Sequence, residues 1–229
     1  KSTGVILRTR DGGKRWSPIS GLLLPALKRI RFSDAKTGWA IGNGSAMFPS
    51  GIFRTQDGGR SWLNVPGPRT QGWSTGWFDR NQQGIVAGRN GQLARVIAAH
   101  SEPVRTIDVG PRHLRRLEFV DASRGWLVGD GGLIMRTADG GAHWRSLGEG
   151  LPPGISGQLD FRALATFGEH VWITGSPGTR VLHTQDGGAH WDIYATGQTM
   201  PLRAITFHDE YRGWAVGALG TILVTRDGG

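Results

Sequence analysis

The sequence predicts an all-β chain of the β-propeller class, built from four-stranded antiparallel blades. Two observations carry that expectation. The first is a long-period repeat. Thr-x-Asp-Gly-Gly occurs five times, at Thr9 to Gly13, Thr55 to Gly59, Thr137 to Gly141, Thr184 to Gly188 and Thr225 to Gly229. The aspartates stand at 11, 57, 139, 186 and 227, so the gaps are 46, 82, 47 and 41 residues. The gap of 82 is twice 41, and a decayed copy fills it. Gly84-Ile85-Val86-Ala87-Gly88-Arg89-Asn90-Gly91-Gln92-Leu93 aligns with the stretch from Gly213 to Ile222, which puts Ala98 at the Asp position. Self-similarity at such a period, with turn chemistry in each copy, marks stacked supersecondary units.

The second observation is the layout inside each period. A short apolar run ends in Phe: Ile30-Arg31-Phe32, Leu117-Glu118-Phe119 and Ile205-Thr206-Phe207. Asp34, Asp121 and Asp209 follow two places on. Seven residues after the Phe stands the Trp of a Gly-Trp-Ala-x-Gly element or a close variant, at Trp39, Trp126 and Trp214. Gly-x-Ile-x-x-Thr then leads into the Asp box, and the box Trp opens a last short segment. Four runs of about five residues, each bounded by Gly, Asn or Asp, read as strands joined by tight turns. No window carries a long 3.6-residue apolar period, so no helix is expected. Four short strands per period is a propeller blade.

These periods form one domain over 1–229, with blades at roughly 1–20 (partial), 21–66, 67–107 (degenerate), 108–150, 151–196 and 197–229 (partial). The segment from Gly4 to Thr9 aligns with that from Gly220 to Thr225, so both ends supply the same third strand. Two copies of one strand do not complete one blade, and the expectation is a piece of about five and a half blades from a longer ring. Such a piece would carry unpaired strand edges.

The box has a mechanical job. The carboxylates of Asp11, Asp57, Asp139, Asp186 and Asp227 are placed to accept backbone N–H bonds across the hairpin turn. The two glycines permit positive φ. Trp16, Trp62, Trp144 and Trp191, five residues after their Asp, fold back over the turn. Catalysis or metal binding by these aspartates is the competing reading. A residue repeated in every blade faces several different places, which favours turn closure. The tryptophans divide likewise between a sugar platform and inter-blade packing.

Composition adds modest limits. The chain has no Cys, which excludes disulfides and Cys-based metal sites. No apolar run approaches the length of a membrane span. The first residue is Lys1 and no leader is visible. The net charge is +9, from 27 Lys and Arg against 18 Asp and Glu, which favours acidic partners.

Gly-Trp-Ala-Val-Gly-x-x-Gly-Thr-Ile-Leu-x-Thr-x-Asp-Gly-Gly, preceded by Ile-x-Phe-x-Asp, resembles the propeller family that includes the photosystem II assembly and stability factor of cyanobacteria and chloroplasts. Residues 213–229 fit almost position by position, 116–144 fit well, and 30–62 fit with an insert at Ala46 to Ser50. The resemblance covers the chain apart from the decayed copy around 81–107. The family also has many bacterial members outside photosynthesis. Sialidases, other glycosidases and sortilin-type receptors carry the Asp box too, and the Gly-Trp-Ala-Val-Gly element together with the box is more specific. The resemblance implies a seven-bladed ring, a periplasmic, lumenal or secreted location, and partner binding through an arginine-rich surface.

No catalytic constellation is legible. A sialidase needs an arginine triad and a Tyr-Glu pair, and the only tyrosines are Tyr194 and Tyr211. A glycosidase needs two facing carboxylates. Asp79, Asp108, Asp130, Asp160, Glu102, Glu118 and Glu149 offer no pair that sequence can place. His143 and His190 precede box tryptophans and read as surface turn residues. Gly129-Asp130-Gly131-Gly132 joins two strands with no helix after it, which argues against a phosphate cradle. No metal, cofactor or nucleic acid is expected.

The functional candidate is a recurring basic position. Lys28, Arg115 and Arg203 stand four residues before the blade Phe, with Arg29 and Arg116 next to the first two. Arg112 and His113 lie just upstream of Arg115. In a propeller the first strand of each blade lines the channel, so equivalent positions meet on one rim. The box arginines, by contrast, look scattered. Solvated surface charge is one reading of the basic position, and a rim that binds an anion or peptide is the other. Two functions stay open: a non-catalytic propeller holding an acidic or C-terminal segment of a client protein, such as a membrane-complex subunit, and a carbohydrate-active enzyme or lectin of the Asp-box type.

Overall fold

In the computed structural model the described residues are 3–19, 24–97, 100–104, 108–147, 151–152, 155, 157 and 159–229. Ala98 and Glu149 lie outside them. The strands in chain order are β1 (Thr3–Gly4), β2 (Leu7–Arg8), β3 (Ser17–Pro18), β4 (Leu24–Pro25), β5 (Leu27–Phe32), β6 (Gly38–Gly42), β7 (Ile52–Thr55) and β8 (Leu63–Asn64). They continue as β9 (Trp73–Phe78), β10 (Gln83–Gly88), β11 (Leu93–Ile97), β12 (His100–Pro103), β13 (Leu114–Phe119), β14 (Gly125–Gly129), β15 (Leu133–Thr137) and β16 (Arg145–Ser146). The last are β17 (Asp160–Phe167), β18 (His170–Ser176), β19 (Arg180–Thr184), β20 (Asp192–Ala195), β21 (Leu202–Phe207), β22 (Gly213–Gly217) and β23 (Ile222–Thr225). No α-helix occurs among the described residues. Single 3-10 turns at Arg89–Gly91 and Ala218–Gly220 each put their middle residue, Asn90 or Leu219, at φ 52°.

The sheets are antiparallel meanders. Strands β5 to β8, β9 to β12, β13 to β16 and β17 to β20 form four four-stranded sheets, and β21 to β23 form a three-stranded one. Strands β2 and β3 pair as a smaller piece, and β1 pairs with β4. The decayed copy at 67–107 therefore keeps all four strands although its box chemistry is gone. These sheets are the blades of a β-propeller fold. The chain divides into two compact units, Lys1–Arg105 and Thr106–Gly229.

Four of the Asp boxes close their turns with the same frame of bonds. In the second sheet's box, Thr55 Oγ1 donates to Asp57 Oδ1 at 2.8 Å and accepts from Gly59 N at 2.9 Å. Asp57 Oδ1 also accepts from the backbone N–H of Arg60 and Ser61 at 2.8 and 3.0 Å. The boxes of Asp11, Asp139 and Asp186 repeat this frame, with N–H donors Arg15, His143 and His190 all at 2.9 Å. Their glycine pairs take φ of 65° to 93°, a region other residues enter only with strain. Trp16 and Trp144 cover the turn and donate Nε1–H to the Gly13 and Gly141 carbonyls at 3.0 and 3.1 Å. The backbone N–H groups favour the carboxylate form. Asp139 is lowered to about 2, chiefly by His143 N–H, and Asp57 and Asp186 fall further by the same cause. Asp34, Asp121 and Asp209 do equivalent work one turn earlier, each accepting two backbone N–H bonds after the blade Phe.

Packing between sheets is aromatic. The Phe ending a first strand lies against the Gly opposite it: a Cβ on Gly125 would stand 2.7 Å from the Phe119 ring, and one on Gly38 2.7 Å from Phe32. The same Phe meets its own box Trp edge-on, as in Phe32 with Trp62 at 6.1 Å and Phe119 with Trp144 at 6.2 Å. In other blades the Phe at this position stacks on the Trp of the preceding blade. Trp39 and Phe78 lie 4.5 Å apart in the first unit, and Trp172 and Phe207 3.5 Å apart in the second. The sheet β17 to β20 departs from this pattern as a pair. Thr166 stands in place of Phe and Val171 opposite it in place of Gly. Box Trp191 then meets Trp126 of the preceding blade directly, edge-on at 6.0 Å.

The residue before the box Thr sits across from the blade Trp. Arg136 lies over Trp126 at 5.6 Å and donates to the Gly187 carbonyl of the next box at 2.8 Å. In the following sheet His183 takes this place, 3% exposed and stacked on Trp172 at 4.7 Å. His170 Nδ1 stands 3.2 Å from His183 Nε2. Burial, reinforced by His170 and opposed by Asp192, pushes the His183 pKa from 6.5 down to about 4. In the last sheet the corresponding face is Trp214, Val216, Ile222 and Val224, all more than 40% exposed. This is an uncovered apolar patch among the described residues.

Three outcomes are expected. Gly125→Ala, which drives a Cβ into Phe119, should destabilise the chain. The Phe119→Thr, Gly125→Val pair, which copies Thr166 and Val171, should restore part of the loss. Denaturant titration of the two single variants and the double should give a coupling of about 1 kcal/mol or more in favour of the pair. Asp139→Ala removes a turn acceptor and should cost about 1 kcal/mol, lowering the melting temperature by about 2–4 °C. Because the folded pKa of His183 lies below its unfolded value, its stabilising contribution is full above pH 6.5 and lost as pH falls toward about 4. Thermal melts of His183→Arg should show a shallower decline across that interval than the native chain.

Candidate functional site

Each first strand contains one bulge, and its occupant is mostly basic. In β13, Leu114 pairs with Gly129 and Arg116 with Val128, which leaves Arg115 without a ladder partner. The same register shift leaves Lys28 unpaired in β5, Arg162 in β17 and Arg203 in β21. In β9 the register shift falls at Ser74. A bulge residue bends its strand and makes no ladder bond, so its side chain is released from the repeat's packing. Four of five bulges thus carry a cation.

Within the second unit, β17 packs beside both β13 and β21. Arg115, Arg162 and Arg203 therefore share one register on three neighbouring first strands. Arg162 is the residue that the Phe-anchored spacing misses, because Thr166 replaces the Phe from which the count is made. Within the first unit, Lys28 and Arg29 stand on β5, beside β9.

The cations differ in how they are held. Arg115 is paired bidentately with Asp130, through Nε and through Nη2 at 3.0 Å. Arg116 pairs with Glu118 at 2.7 Å, and Arg29 donates to Thr75 Oγ1 at 3.2 Å. Arg162 donates to Ser176 Oγ at 3.0 Å. Lys28 and Arg203 are exposed, and their side chains bond to none of the described residues. The register is thus a graded set: two free cations, one lightly held, and one neutralised.

Five of the carboxylates weighed for catalysis are engaged elsewhere. Asp79 accepts from Gln83 N at 2.8 Å, Asp108 from Gly110 N at 2.9 Å and Asp160 from Gly131 N at 3.1 Å. Asp130 and Glu118 face the arginines just described. His143 and His190 hold the Oδ2 of their own box aspartates at 2.7 and 2.6 Å. Tyr211 bonds to Glu210, and that carboxylate raises its pKa, opposite to what a phenolate nucleophile needs. No group of three metal-ligating side chains occurs among the described residues. No helix there is long and apolar enough to cross a membrane.

A family model described as photosynthesis system II assembly factor YCF48 matches residues 98–202. Over 87 residues the chain is 37% identical to the photosystem II assembly lipoprotein Ycf48 of Synechococcus sp. (strain CC9902). That match covers 37% of this chain and 25% of the relative, so the chain matches a quarter of the relative's length. Among solved structures, YCF48 bound to D1 peptide superimposes with a TM-score of 0.74 at 22% identity, covering 96% of this chain and 71% of that one. The GH74 xyloglucanase of Xanthomonas campestris superimposes with a TM-score of 0.76 at 14% identity, covering 99% of this chain and 41% of that one. Likeness at this level of identity speaks to the fold alone, and propellers of quite different activity share it. The sequence matches discriminate where the superpositions do not: the chain is an Asp-box β-propeller similar to the photosystem II assembly factor YCF48.

Proposed function

We propose that this chain is a non-catalytic protein-binding propeller that holds an acidic or C-terminal segment of a client protein against the basic bulge residues of its first strands. The observation that carries the reading is the shared register of Arg115, Arg162 and Arg203 on three neighbouring strands of the second unit. Like charges at one register repel, and an acidic segment relieves that repulsion as it docks. Arg203 and Lys28 supply cations with no competing partner among the described residues. Arg162 needs only to release a hydroxyl. Arg115, already neutralised by Asp130, contributes position more than charge.

The similarity to an assembly factor supports a client from a membrane complex, and a solved relative is described as YCF48 bound to D1 peptide. The curated relative is a lipoprotein, which supports a periplasmic or lumenal setting for this chain. Lys28 and Arg29 offer the equivalent basic positions within the first unit.

Charge reversal tests the reading. Arg162→Glu with Arg203→Glu should weaken binding of a synthetic Asp/Glu-rich peptide at least tenfold, equivalent to about 1.4 kcal/mol, with the melting temperature kept. Native binding should weaken steeply with added salt. Peptide affinity indifferent to both the reversal and the salt would remove the surface from consideration. Turnover of xyloglucan or sialosides by the purified chain would favour a carbohydrate-active enzyme instead.

A further inference from the structure

The box arginines that look scattered in sequence do not lie scattered in space. In the first unit, Arg8, Arg10, Arg15 and Arg60 line one open depression of about 550 Å³. Its charged lining is four arginines against the single carboxylate of Asp11, a local balance of +3. Arg10, Arg15 and Arg60 are exposed and Arg8 is half-buried. None of the four guanidinium groups bonds to another described residue.

The first box also departs from its siblings in a telling way. In the other complete boxes the residue four places after the Asp turns its side chain onto that Asp. Ser61 Oγ meets Asp57 Oδ2 at 2.7 Å, and the His143 and His190 rings meet Asp139 and Asp186 at 2.7 and 2.6 Å. Arg15 holds the same place and carries the charge best suited to such a pair. Only its backbone N–H bonds Asp11, at 2.9 Å, while its side chain lines the depression with the other three arginines. A ready ion pair is left unmade, and the cation is left for something else.

We propose that this depression binds a compact, multiply charged oxyanion of the phosphate class. The planar guanidinium fork donates paired N–H bonds to phosphate or carboxylate oxygens. A local excess of three positive charges calls for a ligand carrying two or more negative charges within one small volume. A phosphoryl group supplies them on a tetrahedral centre whose oxygens accept from several sides at once. A single carboxylate brings one charge in one plane. The depression has the volume of an ordinary small-ligand site. Its lining includes none of the first-strand bulge residues.

Calorimetric titration of the full chain with inorganic pyrophosphate tests the assignment. Saturable binding is expected, at least tenfold weaker in Arg15→Ala, Arg60→Ala. Arg15→Lys, Arg60→Lys keeps the charge and loses the fork, so it should bind several-fold more weakly than the native chain. The four substitutions fall on exposed residues, and circular dichroism checks that each variant stays folded. Absence of saturable binding would overturn the proposal. So would equal affinity in the Lys variant, which would reduce the site to diffuse charge. An Asp/Glu-rich peptide that bound more tightly than pyrophosphate through Arg15 and Arg60 would reassign the depression to an acidic polypeptide.

Discussion

A phenylalanine ring resting on a bare glycine is the contact on which the rest of the architecture depends. With no Cβ on Gly38, Gly125 or Gly213, the ring opposite occupies space that any other residue would fill. From that position Phe32 and Phe119 touch their own box Trp, whereas Phe78 and Phe207 stack on the Trp of the preceding blade. The ring at this one position therefore ties the inner strand to the turn at the blade's edge in some blades and to the neighbouring sheet in others. The Asp box supplies the complementary constraint. It fixes the turn with a closed set of hydrogen bonds and so sets the point from which the following Trp leaves the backbone.

Much of this was legible in the sequence because turn chemistry is local. Thr-x-Asp-Gly-Gly states its own hydrogen bonds, and its period states the blade. Four strands survived in 67–107 even where the box had decayed, because Gly84, Val86 and Gly88 still hold the strand pattern. The bulge register was legible only where its landmark was. Lys28, Arg115 and Arg203 could be counted back from a Phe, whereas Arg162 could not, since Thr166 and Val171 had changed together and erased the landmark while keeping the register. The neutralisation of Arg115 by Asp130 was not legible, because the two meet through a turn whose geometry their spacing does not encode. The gathering of Arg15 and Arg60 was hidden for a related reason. They are 45 residues apart in sequence, and only the packing of one box beside the next brings them to a common depression.

The functional consequence is a division of labour by position. Residues fixed by the repeat build blades, whereas the cations of the bulges and of the first-unit depression stand at places the repeat leaves unconstrained. Bulges and the variable box positions are of that kind. Neither contributes to a ladder or to the apolar layers between sheets, so basic residues accumulate there at little cost to folding. Propellers that share the fold with enzymes can thereby acquire binding surfaces without altering their cores.

The paired exchange at Thr166 and Val171 bears on how such chains can be recombined. A blade looks like a module, yet its inner-strand side chain answers both to the residue opposite it and to the Trp of the blade before. Where that side chain shrinks, the box Trp crosses over to take its place, as Trp191 does on Trp126. The transplantable cassette is accordingly offset from the visible repeat. It runs from the Trp of one sheet to the box Trp of the next, and grafts cut at the sheet boundaries would mismatch their aromatic neighbours while preserving the hydrogen bonds inside each Asp box.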